Sequence, residues 1–138
     1  MSKVAVIYWS STGNTEAMAE AVRNGAQQAG AEVDYLTCDK VGSVSGYDGV
    51  ALGCSAMGDE ELDQDEFQPM WDSIKDSLAG KKVALFGSYG WGDGDWMRSW
   101  EDDAAESGIT LAAESVICNE TPDDDGLSQC KDLGKAIA

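Results

Sequence analysis

A short polar segment follows the first apolar run of the chain and holds residue types that bind anions. It reads WSSTGNTE over residues 9–16 and contains no lysine or arginine. Hydroxyl and amide side chains can donate hydrogen bonds, Gly13 lets the backbone approach a ligand closely, and a following helix would add unpaired N–H groups. The candidate ligands are Ser10, Ser11, Thr12, Gly13, Asn14 and Thr15. Such a set suits one terminal phosphate monoester.

An ordinary helix cap is the other interpretation of this segment. Serine, threonine and asparagine are common before helices because their side-chain oxygens accept hydrogen bonds from the first free N–H groups. A triphosphate site is disfavoured because the pattern GxxxxGK[ST] is absent, and the GxGxxG pattern of dinucleotide sites is absent too. The residues 9–16 alone leave the phosphate site and the simple cap both open.

Two further segments have unusual compositions. CSAMGDEELDQDE (54–66) places Met57 and Gly58 beside residues 59–66, six of which are acidic. A run of this kind is usually just a solvated face. SYGWGDGDW (88–96) places Trp91 between two glycines. This arrangement indicates a stacking surface for a planar ring, and the alternative is a buried anchor for the next helix.

The hydropathy pattern alternates between strands and helices. Apolar runs rich in valine and isoleucine are typical of strands buried on both faces, whereas apolar positions three or four apart indicate amphipathic helices. The pattern predicts strands at 3–9, 32–37, 49–54, 81–88 and 109–118, and helices at 14–29, about 67–78, about 95–107 and 126–137. The strand at 32–37 alternates and is expected near an edge.

This alternation implies a mostly parallel sheet covered by helices on both faces. Ligands of such sheets bind beyond the carboxyl ends of the strands. The three unusual segments follow the first, third and fourth predicted strands, so we expect them to meet at that edge.

Composition limits the range of functions. The 138 residues fit one domain over 1–138. With 26 acidic and 9 basic residues, the net charge of -17 disfavours nucleic acid and anionic membranes and favours basic protein partners. We define the acidic rim as Asp59, Glu60, Glu61, Asp63, Asp65, Glu66, Asp93 and Asp95.

Cellular location and cysteine chemistry follow from the same composition. The start MSKVAV lacks the features of a signal peptide and no apolar run could span a bilayer, so we expect a cytoplasmic protein. Four scattered cysteines, without CxxC spacing or any histidine, are expected to be reduced thiols rather than metal ligands.

Three segments, YWSSTGNTEAMA, LGCSAMGDEEL and KKVALFGSYGWGDG, together resemble the short-chain flavodoxins of anaerobic bacteria. The resemblance extends over essentially the whole chain. It implies an α/β fold with a doubly wound, five-stranded parallel sheet in the order 2-1-3-4-5. It also implies a non-enzymatic, monomeric electron carrier that holds FMN non-covalently, uses the semiquinone/hydroquinone couple at low potential, and substitutes for ferredoxin between redox enzymes.

The resemblance assigns a part of FMN to each segment. The first would bind the 5'-phosphate, with Ser55 as a neighbour. Met57 and Trp91 would enclose the flavin ring, Glu60 would meet its pyrimidine edge, and the Gly58 carbonyl would turn toward flavin N5 on reduction. The other residues expected around the ring or the ribityl chain are Ala56, Asp59, Ser88, Tyr89, Gly90, Gly92 and Asn119.

Two other protein classes remain possible from the sequence. A flavin-dependent quinone or nitro reductase would usually need a longer chain and a substrate pocket, and turnover of NAD(P)H would reveal it. A cofactor-free receiver domain shares the topology but needs an acceptor aspartate at the end of the third strand. Gly53, Cys54 and Ser55 stand there, which argues against a receiver.

Overall fold

The computed structural model of the chain describes residues 2–10, 13–57, 61–90 and 94–138. Within these ranges the strands are β1 (Lys3–Trp9), β2 (Glu32–Thr37), β3 (Gly49–Cys54), β4 (Lys82–Tyr89) and β5 (Val116–Asn119). The α-helices are α1 (Asn14–Gln28), α2 (Phe67–Ile74), α3 (Asp95–Glu106) and α4 (Asp124–Ile137), and short 3-10 helices span Cys38–Lys40 and Lys75–Ser77.

All neighbouring strands of the sheet are parallel, and their order is β2-β1-β3-β4-β5. This result confirms the doubly wound fold and the strand order implied by the resemblance. It also confirms that the strand at 32–37 lies at an edge, where Glu32 is exposed and the other five residues are half-buried. The interior strands β1 and β3 carry nearly continuous apolar runs because helices cover both of their faces.

Alternate residues of each strand contribute to two separate hydrophobic cores. In β1, Ala5 and Ile7 face the core formed with α2 and α3, whereas Val4 and Val6 face the core formed with α1 and α4. The first core contains a group of large aromatic rings, namely Phe67, Trp71, Trp96 and Trp100. The second consists mostly of small and branched side chains.

Glycines set the close approach of α1 and α4. A Cβ added at Gly25 would overlap the backbone carbonyl of Lys131, and one added at Gly134 would overlap the carbonyl of Val22. Only a residue without a side chain permits this contact between backbones. The helix that opens with the polar segment is therefore held firmly against the last helix of the chain.

The fifth strand is shorter than predicted. Of the expected strand at 109–118, only Val116 onward forms a ladder with β4, and Leu111 makes an isolated bridge to Val83. Between the pairs Val83–Leu111 and Phe86–Val116, the 111–116 segment holds two residues more than β4 does. These two additional residues cannot pair with β4, so the strand is interrupted between Leu111 and Val116. The hydropathy pattern does not report the register between strands and could not predict this interruption.

Smaller differences occur at the ends of helices. The last helix begins at Asp124 rather than residue 126, because the Asp123 carboxylate accepts a hydrogen bond from the Gly126 N–H (2.7 Å) and caps it. The first helix ends at Gln28, and Ala29, expected on its inward stripe, is exposed. In the part of the chain that the structure describes, no helix is long and apolar enough to cross a membrane.

Candidate functional site

Two buried hydroxyl groups and one backbone N–H connect the segments that follow β1, β3 and β4. The Oγ atoms of Thr15 and Ser55 lie 2.7 Å apart, and the Ser88 N–H donates to Thr15 Oγ1 at 3.2 Å. These residues are 0%, 6% and 5% exposed, respectively. Buried polar groups require partners, so the Thr15 hydroxyl fixes the positions of Ser55 and Ser88 relative to α1. The prediction that these three segments meet at the carboxyl edge is confirmed for their described residues.

The start of α1 is shaped to receive an anion. Gly13, the N-cap, has φ of 92°, a conformation that favours glycine. Its N–H donates to Ser10 Oγ (3.0 Å), and its carbonyl accepts the first helical bond from the Ala17 N–H (3.0 Å). The first-turn N–H groups, including those of Asn14 and Thr15, have no intrahelical partner and carry the positive end of the helix dipole.

Backbone bonds fix the described part of the segment after β3. The Ala56 N–H donates to the Ser88 carbonyl (2.9 Å), which ties this segment to the end of β4. The Met57 N–H donates to the Glu61 carbonyl (2.9 Å). The Met57 side chain is half-buried, so part of its surface remains free to contact a ligand.

A second group of bonds fixes the end of β4 against the end of β5. Ser88 Oγ donates to the Glu120 carbonyl (2.7 Å), and the Glu120 N–H donates to the Tyr89 carbonyl (2.7 Å). Asn119 Nδ2 donates to the same Tyr89 carbonyl at 3.4 Å. Among the described residues, Glu120 is the one non-glycine with positive φ, at 55°. The Tyr89 ring is half-buried and packs on Trp96, with ring centroids 5.4 Å apart.

The structure places eleven of the residues predicted for the site, all beyond or at the carboxyl ends of strands. They are Ser10, Gly13, Asn14, Thr15, Ser55, Ala56, Met57, Ser88, Tyr89, Gly90 and Asn119. The others lie outside the described residues. They are Ser11, Thr12, Gly58, Asp59, Glu60, Trp91 and Gly92.

Several contacts at this edge were not predicted. Trp96 donates its Nε1 hydrogen to the Cys54 carbonyl at 3.3 Å and underlies the site from α3. Glu120 and Glu61 take part through their backbones, which leaves no signature in the residue type. Trp96 could have been found, because its helical spacing with Trp100 marked an inward face.

One member of the acidic rim is buried, which corrects its assignment. Asp63 is 5% exposed, and its Oδ2 accepts hydrogen bonds from the N–H groups of Glu66 (2.7 Å) and Phe67 (3.0 Å). It therefore caps the start of α2 instead of facing solvent. The rim carboxylates that the structure shows as exposed are Glu61, Asp65, Glu66 and Asp95.

A small cavity of about 220 Å³ adjoins the polar segment between the ends of β1 and β2. Tyr8, Glu16, Asp39 and Glu66 are among the residues around it. The Tyr8 hydroxyl donates to Glu16 Oε2 at 2.9 Å. Burial, and then this carboxylate, raise the pKa of Tyr8 above its ordinary value of 10.0.

The four cysteines are free thiols in the hydrophobic cores. Burial raises the pKa of Cys38 to about 11 and that of Cys130 to about 12, and it also raises the pKa values of Cys54 and Cys118. Thiolates are therefore scarce at neutral pH. Over the described ranges, no group of three or more acidic or cysteine side chains could hold a metal ion.

These features fit a phosphorylated ligand with a planar ring. Neutral donors and a helix N-terminus suit a phosphate monoester, while half-buried Met57 and Tyr89 offer polarizable and aromatic surface a few residues away.

Comparison with known proteins finds relatives that are similar to this chain over nearly all of its length. The flavodoxin family model matches residues 6–134. The flavodoxin of Megasphaera elsdenii is 42% identical over 137 residues, covering 98% of each chain. The flavodoxin of Clostridium beijerinckii is 43% identical over 135 residues, covering 96% of this chain and 97% of that one.

Solved structures agree with this assignment. The solution structure of two-electron reduced Megasphaera elsdenii flavodoxin superposes with a TM-score of 0.88 over 97% of each chain, at 42% identity. A flavodoxin from the domain Archaea gives a TM-score of 0.86 at 31% identity. The chain therefore belongs to the flavodoxin family and is an electron-transfer flavoprotein that uses FMN, not an enzyme.

Proposed function

We propose that this protein is a low-potential one-electron carrier that binds FMN across the carboxyl ends of β1, β3 and β4 and can replace ferredoxin between redox enzymes. The observation that supports it most is the buried contact of Thr15 with Ser55 and Ser88, which joins all three segments. Bound FMN supplies one-electron redox chemistry. The chain's own residues bind it, orient it and set the charge around it.

The phosphate end would be held by neutral donors. Ser10, Ser11, Thr12, Gly13, Asn14 and Thr15 are the proposed ligands, with Ser55 beside them. A protein without cationic ligands at this point keeps the surrounding charge negative. The helix dipole and the N–H groups of α1 compensate the phosphate locally.

The ring end would be bordered by Met57 and Trp91 on its two faces. Glu60 and Asp59 would lie at its polar edge, with Ala56, Gly58, Tyr89, Gly90, Gly92 and Asn119 around it. The bonds from Asn119 and Glu120 to the Tyr89 carbonyl hold the end of β4 in place. Because the end of β4 is already fixed by these bonds, ligand binding loses little conformational entropy at Tyr89 and Asn119.

Negative charge near the ring supports a low potential. Exposed Glu61, Asp65, Glu66 and Asp95 lie on the segments that follow β3 and β4. Reduction that adds negative charge to the cofactor is opposed by these carboxylates. The same carboxylates would attract the basic surfaces of partner reductases and acceptors. The four unpaired thiols agree with a reducing, cytoplasmic location, and we propose a monomer.

The decisive experiment combines cofactor binding with potentiometry on the purified protein. We expect a visible flavin spectrum, saturable FMN binding by the FMN-free chain at one equivalent, and two separated one-electron potentials. The second potential should lie well below that of free FMN. Failure to bind FMN would contradict the site, and a second potential like that of free FMN would contradict the low-potential role. Sustained NAD(P)H oxidation by the isolated protein would instead indicate a reductase.

A further inference from the structure

Two pairs of contacting aromatic rings lie between the carboxyl edge of the sheet and α2, and α3 carries one ring of each pair. Tyr89 packs against Trp96, with ring centroids 5.4 Å apart. Trp96 and Trp100 lie one turn apart on the inward face of α3 and are 1% and 2% exposed. Trp100 then meets Trp71 of α2 edge to face, with centroids 5.7 Å apart. The series leads away from the proposed flavin site over one turn of α3, from Trp96 to Trp100.

The three indole N–H groups of this series have different partners. That of Trp96 donates to a backbone carbonyl, Cys54 O. That of Trp100 is buried and has no partner among the described residues. That of Trp71 donates to a carboxylate, Asp103 Oδ2, at 2.6 Å. Of the three, Trp71 is therefore the one whose N–H faces a base able to take its proton.

Asp103 is held in place and reaches solvent. Lys75 Nζ lies 3.2 Å from its Oδ1 and 3.3 Å from its Oδ2, and the Asp103 side chain is 34% exposed. Trp71 itself is fully buried. A proton released by Trp71 would thus pass to a group at the boundary between the core and water.

We propose a further activity that rests on the proposed FMN site: light-driven oxidation of Trp71 through Trp96 and Trp100. FMN, when bound and excited by light, would supply an acceptor for one electron at this end of the series. Trp96 gives up that electron through the Tyr89 ring that packs on it. Electrons then move from Trp100 to Trp96 and from Trp71 to Trp100. Trp71 is then the oxidised residue, one electron short. Its Nε1 proton moves to Asp103 Oδ2, which leaves a neutral indolyl radical and a carboxylic acid.

Trapping at Trp71 follows from acid–base chemistry. An indole that has lost an electron is a much stronger acid than neutral indole, but a backbone carbonyl is too weak a base to accept the proton. Trp96 and Trp100 are therefore reduced again by the next tryptophan, whereas oxidised Trp71 is stabilised by losing its proton. Return of the electron from the flavin reverses the proton transfer and restores both groups, so no other oxidant or reductant is needed.

The test is transient absorption of the FMN-loaded protein after a laser pulse absorbed by the flavin. The parent should show a neutral indolyl radical, which absorbs at shorter wavelength than the protonated radical cation and outlives it. Asp103→Asn keeps the size and a hydrogen-bond acceptor but removes the base. We expect loss of the long-lived neutral radical in Asp103→Asn and in Trp71→Phe.

Asp72→Asn is the matched control, because it removes a carboxylate that also pairs with Lys75 (3.5 Å) without touching the indole. It should retain the parent signal. A parent-like neutral radical in either Asp103→Asn or Trp71→Phe, or none in the FMN-loaded parent, would overturn the proposal. An FMN titration of each protein separates the two proposals: absent binding contradicts both, whereas bound FMN without a Trp71 radical contradicts only this one.

Discussion

The side-chain oxygens of Thr15 and Ser55 lie 2.7 Å apart in the protein interior, although 40 residues separate them in the chain. This contact joins the first turn of α1 to the segment after β3, and the Ser88 N–H adds the end of β4. A single hydroxyl, that of Thr15, therefore has a bond to each of the other two segments of the proposed site.

Replacing Thr15 with valine should weaken both the fold and FMN binding. Thr15→Val keeps the shape but leaves Ser55 Oγ and the Ser88 N–H without this partner. We expect the FMN-free protein to lose about 1–3 kcal/mol of unfolding free energy, the cost of buried groups left unsatisfied. Urea unfolding and an FMN titration measure the two effects. Thr110→Val, at an exposed position, is the control. Unchanged stability in Thr15→Val would mean that the contact contributes little.

Gly13 and Gly30 provide a matched pair for the polar segment. Both have positive φ, 92° and 93°, and open space around an added Cβ. Alanine at either position should cost about 1 kcal/mol of stability through backbone strain. Only Gly13→Ala should also reduce FMN affinity, because Gly30 lies at the opposite end of α1. Equal FMN affinities for the two variants would remove Gly13 from the phosphate site.

The α1–α4 contact should be intolerant of one methyl group. In Gly25→Ala the new Cβ overlaps the backbone carbonyl of Lys131, and a backbone atom cannot rotate away as a side chain can. We expect a loss of at least about 2 kcal/mol, measured by urea unfolding. Gly42→Ala, where the added Cβ meets nothing, should be nearly neutral. Similar stabilities for these two variants would show that the helices can separate at low cost.

Stability should fall at alkaline pH because of the buried thiols. In the folded protein burial raises the pKa of Cys38 to about 11, from an ordinary value of 9.0. As pH rises, the unfolded chain therefore loses this proton before the folded protein does. The contribution of the protonated thiol to the free energy of unfolding is complete below about pH 9 and is lost as the pH rises toward 11. The slope per thiol approaches about 1.4 kcal/mol per pH unit at most.

Unfolding free energies measured at a series of pH values test this prediction. Cys38→Ala lowers stability overall by opening a small cavity, but it should flatten the alkaline slope. Cys130→Ala should do the same, since burial raises the pKa of Cys130 to about 12. A slope identical to that of the parent in both variants would assign the alkaline loss to other groups, such as Tyr47, whose pKa burial raises to about 12.

Electron transfer to a basic acceptor should depend on salt and on the exposed carboxylates of the acidic rim. Association steered by charge slows as ionic strength rises, because screening acts beyond about 10 Å at 0.1 M. Neutralising Asp65 and Glu66 as Asn and Gln should reduce the rate and its salt dependence. The control double variant replaces Asp76 and Asp132 with Asn, which removes the same number of charges. Asp76 is exposed on the 3-10 helix Lys75–Ser77, and Asp132 is exposed on α4. Stopped-flow rates that match in the two double variants would reduce the rim to a solubility feature.

The sequence by itself determined the order and type of the elements, although not the extent of β5. Strands such as β1 and β3 were predicted at their observed limits, since a strand buried on both faces must be apolar at nearly every residue. The same local patterns placed Ser10, Met57 and Tyr89 just after or at the ends of strands. The order of the strands did not follow from these patterns and came from the family resemblance.

The tertiary structure alone decided which polar groups meet. Asp63 lies in the same acidic run as Asp65, yet one caps α2 from the interior and the other is exposed. Their difference depends on how that segment folds back toward α2, which residue type does not record. Likewise, the continuous ladder of β5 begins only at Val116, because the 111–116 segment has two more residues than the part of β4 that it faces. Hydropathy is a property of neighbours along the chain, whereas pairing and burial of polar groups depend on neighbours across the sheet.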